Sequence, residues 1–302
     1  MNTAAPISTL QPAASFAEIT GLMAALPPLP AVPEGFTGPA ELGGWADCAI
    51  WLGQAQNRFP PRLNRPRLAL FAAPHGHQGD IDMASRLAPW QSGTTATARL
   101  LATQTEVDLQ LYEMASSAPT GDMTQGPALT EAAAAHAMAY GMMAAEPGLD
   151  LLMLSTIDDE ATGAQASAEA VIAALTKTEP ASETARQALT ANRAHLTDPL
   201  TILAILGGYE SGAIFGAILA ARLAKMPVLL EGLPALAAAL TLAKLGGTQA
   251  RDLLAHVRAI DVPENLLPLF GFMRRCPALS VPPDDGRAAA AALPVLRALA
   301  QQ

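Results

Sequence analysis

Basic side chains are scarce in this chain, with 18 Lys and Arg against 27 Asp and Glu over 302 residues, for a formal net charge of -9. Nowhere do they gather into a stripe. That excludes a nucleic-acid footprint, which needs clustered cations to neutralise phosphates. Charged residues of both signs make up only 15% of the chain while apolar ones make up 51%, so the polar surface is lean and extensive disorder is excluded beyond the ends. Cysteine is nearly absent. Cys48 and Cys276 stand far apart in sequence and in no metal spacing, which reads as two reduced, mostly buried thiols and excludes a disulfide framework. Long uninterrupted apolar runs are also missing. The longest stretches are rich in Ala and Gly and broken by charge or proline, so no membrane span and no membrane partner are expected. The first fifteen residues, MNTAAPISTLQPAAS, hold no Lys or Arg ahead of an apolar run. No signal peptide is expected, and cytoplasmic residence follows by default.

What the chain does have is alanine, arranged in helical stretches between short aliphatic runs. Helices are expected over Phe16–Leu26, 41–57, Thr94–Thr105, Thr130–Ala145, Ala166–Leu175, Pro199–Leu206, Ser211–Ala224, Pro234–Leu245 and Arg287–Ala300. The Pro27–Pro33 run stops the first helix and forms a strap. Leu68–Ala72 reads as a buried strand, Leu151–Leu154 as an apolar one, and Val107–Tyr112 and Pro227–Leu230 as further strands. Strands of this length alternating with helices imply parallel βαβ units. The expected fold is therefore α/β, a doubly wound, mainly parallel sheet. A Rossmann-like α/β domain is placed at 60–250, and a small helical domain is built from 1–59 and 251–302. Ligands of such sheets sit beyond the carboxyl ends of the strands.

Four clusters at those ends carry candidate chemistry. His75-Gly76-His77 with Asp80 and Asp82 has the residue types of an acid/base or metal cluster, but no recognised metal spacing. A satisfied loop histidine is the alternative. Asp158-Asp159-Glu160 would repel a phosphate in a shielded site. It reads either as a solvated acidic turn before a helix or as a cation site. Gly207-Gly208-Tyr209-Glu210 lies where one helix ends and another begins, with backbone amides open to a ligand or simply turning the chain. Asp284-Asp285 precedes the last helix and reads either as its cap or as a general base.

Three stretches, in order, carry a resemblance. They are Leu42–Leu52 with Arg65-Pro-Arg-Leu-Ala-Leu-Phe-Ala72 and His75-Gly76; Gly121–Thr130 with the Ala-rich helix and Gly148-Leu-Asp-Leu-Leu152; and Leu206-Gly-Gly-Tyr-Glu210 through Pro227-Val-Leu-Leu-Glu-Gly232. Together they resemble the nicotinate-nucleotide:dimethylbenzimidazole phosphoribosyltransferases, with their RPR lead-in, GGxE helix start and PVLLDG strand. The resemblance spans roughly residues 40–245. It implies transfer of phosphoribose from nicotinate mononucleotide to a benzimidazole-type base, a homodimer, and small-molecule partners only. No cofactor and no metal are implied. Carried over residue by residue, it implies nucleotide contacts at Thr156, Thr162, Gly163, Gly207, Gly208 and Glu210. Base contacts fall at His75 and Gly76, and a catalytic carboxylate at Asp285.

The departures are as specific. The family's Ser-Ala-(Phe/Tyr)-Pro segment, which lines the base pocket, has no counterpart between His75 and Thr94. Its GEMGIGNTT turn is replaced by Ser155-Thr-Ile-Asp-Asp-Glu-Ala-Thr-Gly163. Its SHxSAExGH segment has no clear match near His256–Leu267. The GEGTG turn, which holds the family's catalytic Glu, corresponds to Pro282-Pro-Asp-Asp-Gly286. The expectation is a divergent member with weak or altered activity. Whether it is still an enzyme, or a non-catalytic paralogue that keeps the scaffold to bind a ligand or partner, stays open.

Overall fold

Each of the aliphatic runs becomes a strand, and all the strands join one sheet. The computed structural model describes residues 15–79, 81–104, 106–114, 118–157, 163–279, 281 and 285–300. The strands are β1 (Pro66–Ala72), β2 (Asp108–Glu113), β3 (Leu151–Thr156), β4 (Val228–Leu230), β5 (Val257–Ala259) and β6 (Arg274–Arg275). All pairings are parallel, in the spatial order β2-β1-β3-β4-β5-β6. The helices are α1 (Phe16–Ala24), α2 (Asp47–Gln56), α3 (Met83–Gln91), α4 (Ala96–Ala102), α5 (Glu131–Met142) and α6 (Ala164–Thr176). They continue as α7 (Glu183–Asn192), α8 (Pro199–Leu206), α9 (Tyr209–Leu223), α10 (Leu233–Gly246), α11 (Ala250–Leu253) and α12 (Arg287–Ala300).

Side chains alternate across the strands, so β1, β3 and β4 each feed two cores. Ala69, Phe71, Leu152, Leu154, Val228 and Leu230 face the helices α5, α6, α8, α9 and α10. Leu68, Leu70, Leu151, Met153 and Leu229 face α2, α3, α4 and α12. The sheet is thus covered on both faces, which is why β1, β3 and β4 read as unbroken apolar runs.

The abundant alanine and glycine let the first layer pack closely. A Cβ at Gly141 would lie 1.8 Å from the Ala213 carbonyl oxygen, and one at Gly216 would lie 1.9 Å from that of Met138. The α5–α9 crossing therefore brings backbone against backbone. Side-chain caps start the helices where Ser, Thr or Asp was available. Thr130 accepts from Ala133 N–H, and Asp198, followed by Pro199 at the first helical position, accepts from Leu200 and Thr201 N–H.

The amino ends of the strands are braced. Buried Asp150 accepts from the Asn64 and Arg65 backbone N–H groups at 2.7 and 2.9 Å. Arg67 donates to Asp108 at 2.7 Å and pairs with Glu146 at 3.0 Å. The Arg65-Pro66-Arg67 and Gly148-Leu-Asp150 stretches are thus structural pins at the end of the sheet away from its carboxyl edge.

The strands β5 and β6 lie in the segment assigned from sequence to a helical unit, and they extend the main sheet. They escape a periodicity reading because β5 is three residues long with Arg258 at its centre, and β6 is Arg274-Arg275. The Arg258 charge is tolerated there because its guanidinium donates to two backbone carbonyls and lies 5.6 Å from the Trp51 ring centroid. The chain ends do meet, since α12 packs on α2, but α12 also packs on α4. α3 carries Pro89 within it, which breaks the helical signal of this stretch in the sequence. Its N-cap is Asp82, whose carboxylate accepts from Ser85 N–H at 3.2 Å and from the Ser85 hydroxyl at 2.6 Å. Among the described residues no helix is long and apolar enough to cross a membrane.

Candidate ligand site at the carboxyl ends of β1, β3 and β4

The chain runs from β1 outward to β2 and then crosses back to β3 on the other side of β1. The strand order reverses between β1 and β3, and a crevice opens beyond the carboxyl ends at such a switch point. The segments leaving β1 and β3 begin with Ala73-Pro74-His75-Gly76 and Ile157.

His75 is buried, and its Nε2 lies 3.2 Å from Glu210 Oε1. Glu210, in the first turn of α9, is only 1% exposed. Its second oxygen, Oε2, is buried with no hydrogen-bond partner among the described residues. Gly208 is what allows this pair to sit against the start of α9. A Cβ there would meet Glu210 Oε2 and His75 Cε1 at 2.4 Å each. Gly207 and Gly208 both have extended backbone between α8 and α9, and the Gly207 N–H donates to the Leu203 carbonyl at 2.9 Å. The glycine pair thus ends one helix and makes room for the buried His75–Glu210 pair at the start of the next.

Gly76 is pressed against the chain leaving β2. A Cβ on it would lie 2.2 Å from the Thr120 carbonyl oxygen, and its N–H donates to Thr120 Oγ1 at 3.2 Å. His77 lies two residues on, its ring 5.5 Å from that of His75. Burial, with the His75 charge adding to it, lowers its pKa to about 4. Gly163, at φ 79, sits against the same ring, since a Cβ there would lie 2.5 Å from His77 Nε2. Thr156 is the buried last residue of β3.

The second wall comes from the far end of the chain. The Gly286 N–H donates to Ser155 Oγ at 3.2 Å, which fixes the residue after Asp285 to the carboxyl end of β3. Glu231, directly after β4, accepts from the Ala289 N–H in the first turn of α12 at 2.7 Å. Asp285 itself has a left-handed backbone, φ 55, and is half-buried. An apolar cavity of about 280 Å³ adjoins the carboxyl end of β2, between Met114, Tyr140 and Tyr209.

The structure therefore brings His75, Gly76, Gly163, Gly208 and Glu210 together, and delivers Asp285 to the same edge of the sheet. Thr162, Asp80, Asp158, Asp159, Glu160 and Asp284 lie outside the described residues. Ser155, Glu231 and Thr120 were not singled out from sequence. Ser155 and Glu231 carry a usable signal all the same: each is a polar residue that closes or follows a buried aliphatic strand.

The phosphoribosyltransferase family model matches residues 34–186 and 182–301, nearly the whole chain. A nicotinate-nucleotide–dimethylbenzimidazole phosphoribosyltransferase of Brucella anthropi is 33% identical over 263 residues, covering 78% of this chain and 76% of that protein. The chain belongs to this phosphoribosyltransferase family. The enzyme of the same name from Allorhizobium ampelinum is 35% identical over 244 residues, covering 73% of this chain and 71% of its own. A crystal structure of the Thermus thermophilus phosphoribosyltransferase of that name superposes with a TM-score of 0.71 at 25% identity, covering 95% of this chain and 94% of that one. The family scaffold is thus retained from the α2 region through α12. The His75–Glu210 pair and the Ser155–Gly286 bond hold polar groups of this chain at the crevice.

Proposed function

We propose that this chain transfers phosphoribose from nicotinate mononucleotide to a benzimidazole-type base, more slowly or with altered base preference relative to the proteins it resembles. The observation that carries this reading is the Ser155–Gly286 hydrogen bond, which holds Asp285 at the carboxyl edge of β3. In the reaction, a ring nitrogen of the base attacks the anomeric carbon and nicotinate leaves with the bond electrons. The attacking ring then gives up its proton to a carboxylate, the role assigned here to Asp285. Asp is one methylene shorter than the Glu of the family's turn. A misplacement near 1 Å can cost on the order of a hundredfold in rate.

Around the donor nucleotide, the buried Glu210 suits ribose hydroxyls, because its unpartnered Oε2 can accept a hydrogen bond from them. Backbone amides at Gly208 and Gly163 suit the phosphate, with Gly207, whose own N–H closes α8, shaping the turn beside them, and Thr156 borders the same crevice. Thr162 completes that nucleotide set. His75 and Gly76 border the base, and the cavity near Tyr209 is the right size for a flat bicyclic ring. The chain is proposed to act as a homodimer.

The test is release of nicotinate from nicotinate mononucleotide with dimethylbenzimidazole, followed by chromatography. Turnover that falls at least a hundredfold in Asp285→Ala supports the reading. Calorimetric binding of nicotinate mononucleotide with no turnover, for any benzimidazole tried, would replace it with the non-catalytic paralogue.

A further inference from the structure

The two cysteines, 228 positions apart in the chain, meet in the fold, with Cys48 Sγ 3.7 Å from Cys276 Sγ. Cys48 is in the first turn of α2, and Cys276 is the residue directly after β6. Both are buried, at 0% and 6% exposure, and both are free thiols. Their backbones are held in place independently of the sulfur atoms. One guanidinium, that of Arg258, donates to the carbonyl of Asp47 and to that of Arg275, each at 2.9 Å. Those are the residues immediately preceding the two cysteines. The Cys276 N–H in turn donates to the Ala259 carbonyl at 2.9 Å. A surface concavity of about 520 Å³ opens beside them, lined by Asp47, Arg258, Arg275 and Pro277 among others. It reaches the residues that flank both cysteines, and of the two thiols Cys276 keeps slight exposure, so a small oxidant enters only by a local opening there.

We propose that Cys48 and Cys276 form a reversible dithiol–disulfide site, oxidised by a peroxide. The chemistry balances in two steps. The Cys48 thiolate attacks a peroxide oxygen, giving a sulfenic acid and releasing hydroxide. The Cys276 sulfur then attacks the sulfenic sulfur, forming the S–S bond, and the hydroxyl group leaves with the Cys276 proton as water. Overall, two thiols and one hydrogen peroxide give one disulfide and two waters. Cys48 is the attacking member because the hydrogen bond from Cys276, helped by Arg258, lowers its pKa despite burial. The same contact with Cys48, together with burial, raises the Cys276 pKa. The cross-link ties the first turn of α2 to the residue directly after β6. The dithiol site itself does not depend on the phosphoribosyl reaction.

The experiment uses the full chain, treated with hydrogen peroxide well below its unfolding temperature. Remaining thiols are alkylated, and non-reducing peptide mapping by mass spectrometry follows. The expected product is a single cross-linked peptide pair containing Cys48 and Cys276, two hydrogens lighter than the reduced pair and restored by dithiothreitol. Closing so long a loop should raise the thermal midpoint by roughly 5 °C or more, reversibly. In Cys276→Ser the sulfenic acid on Cys48 should accumulate and be trapped by dimedone at several times the wild-type yield. Three outcomes would overturn the proposal: oxidation of one cysteine without a cross-link, disulfide-linked dimers in place of the internal bridge, or no reaction under conditions that oxidise the unfolded chain. Should Cys276→Ser fail to fold, the wild-type peptide map alone decides.

Discussion

Acid should destabilise this protein well before its carboxylates titrate, and His256 is the main cause. Its ring is fully enclosed. Nε2 lies 3.0 Å from the Ile218 carbonyl, and the residue's own carbonyl accepts from Trp51 Nε1 at 2.8 Å. Burial, reinforced by the nearby Arg222 charge, lowers its pKa from 6.5 to about 3. The folded state thus keeps the ring neutral while the unfolded chain takes up a proton below pH 6.5. For a depressed pKa, stability is fully present above the unfolded value and is lost as pH falls through it towards the folded value. At pH 5 the unfolded ring is almost fully protonated and the folded one is not, a loss of about 2 kcal/mol relative to pH 7. His77, lowered to about 4 by burial and His75, acts in the same direction, but it is only part-buried and solvent screening reduces its share. The His256 loss of about 2 kcal/mol is by itself a sizeable share of the roughly 5–15 kcal/mol typical of a folded protein. Urea unfolding at pH 7 and pH 5 measures this directly. His256→Gln should start less stable at pH 7, by about 1–3 kcal/mol for the disturbed buried contacts. It should then lose about 2 kcal/mol less than wild type on going to pH 5. If the wild type and His256→Gln lose the same stability between the two pH values, the reasoning fails.

The α5–α9 crossing gives a second test. Gly216→Ala, whose Cβ would meet the Met138 carbonyl, should cost about 2 kcal/mol or more in thermal or urea unfolding. Gly21→Ala has open space inside α1 and should gain up to about 1 kcal/mol. Gly208→Ala pushes Glu210 and His75 apart and should weaken nicotinate mononucleotide binding by on the order of a hundredfold in calorimetry. Unchanged affinity would remove Glu210 from the nucleotide site. Sedimentation at micromolar concentration should give a species near twice 31.1 kDa, the mass of one chain, and a monomer there would overturn the homodimer.

The sheet and its helices were largely readable because burial on both faces leaves a plain trace. Leu68–Ala72, Leu151–Leu154 and Val228–Leu230 are continuous aliphatic runs, and all three fall within parallel strands of one sheet. Helix starts at Thr130 and Pro199 were readable from capping residues, since caps act over three or four positions. Strands β5 and β6 were not readable. At two or three residues each, with arginines in them, they hold no period, and their place depends on strand pairing and on Trp51 and Asp47 from far along the chain.

The candidate site divides in the same way. The residue types and their position after strands were legible: a histidine after β1, two glycines and a glutamate between helices, and an aspartate before the last helix. Which of them touch was decided by the fold. His75 meets Glu210 across 135 positions, Gly286 meets Ser155 across 131, and Cys48 meets Cys276 across 228. By itself the sequence determined the elements and their order, because hydrophobic periodicity, propensity and capping are properties of neighbouring residues. Only the tertiary structure decided the partners. A parallel sheet lines up the carboxyl ends of strands that are distant in sequence, and buried polar atoms take their partners from whatever that alignment brings within about 3 Å.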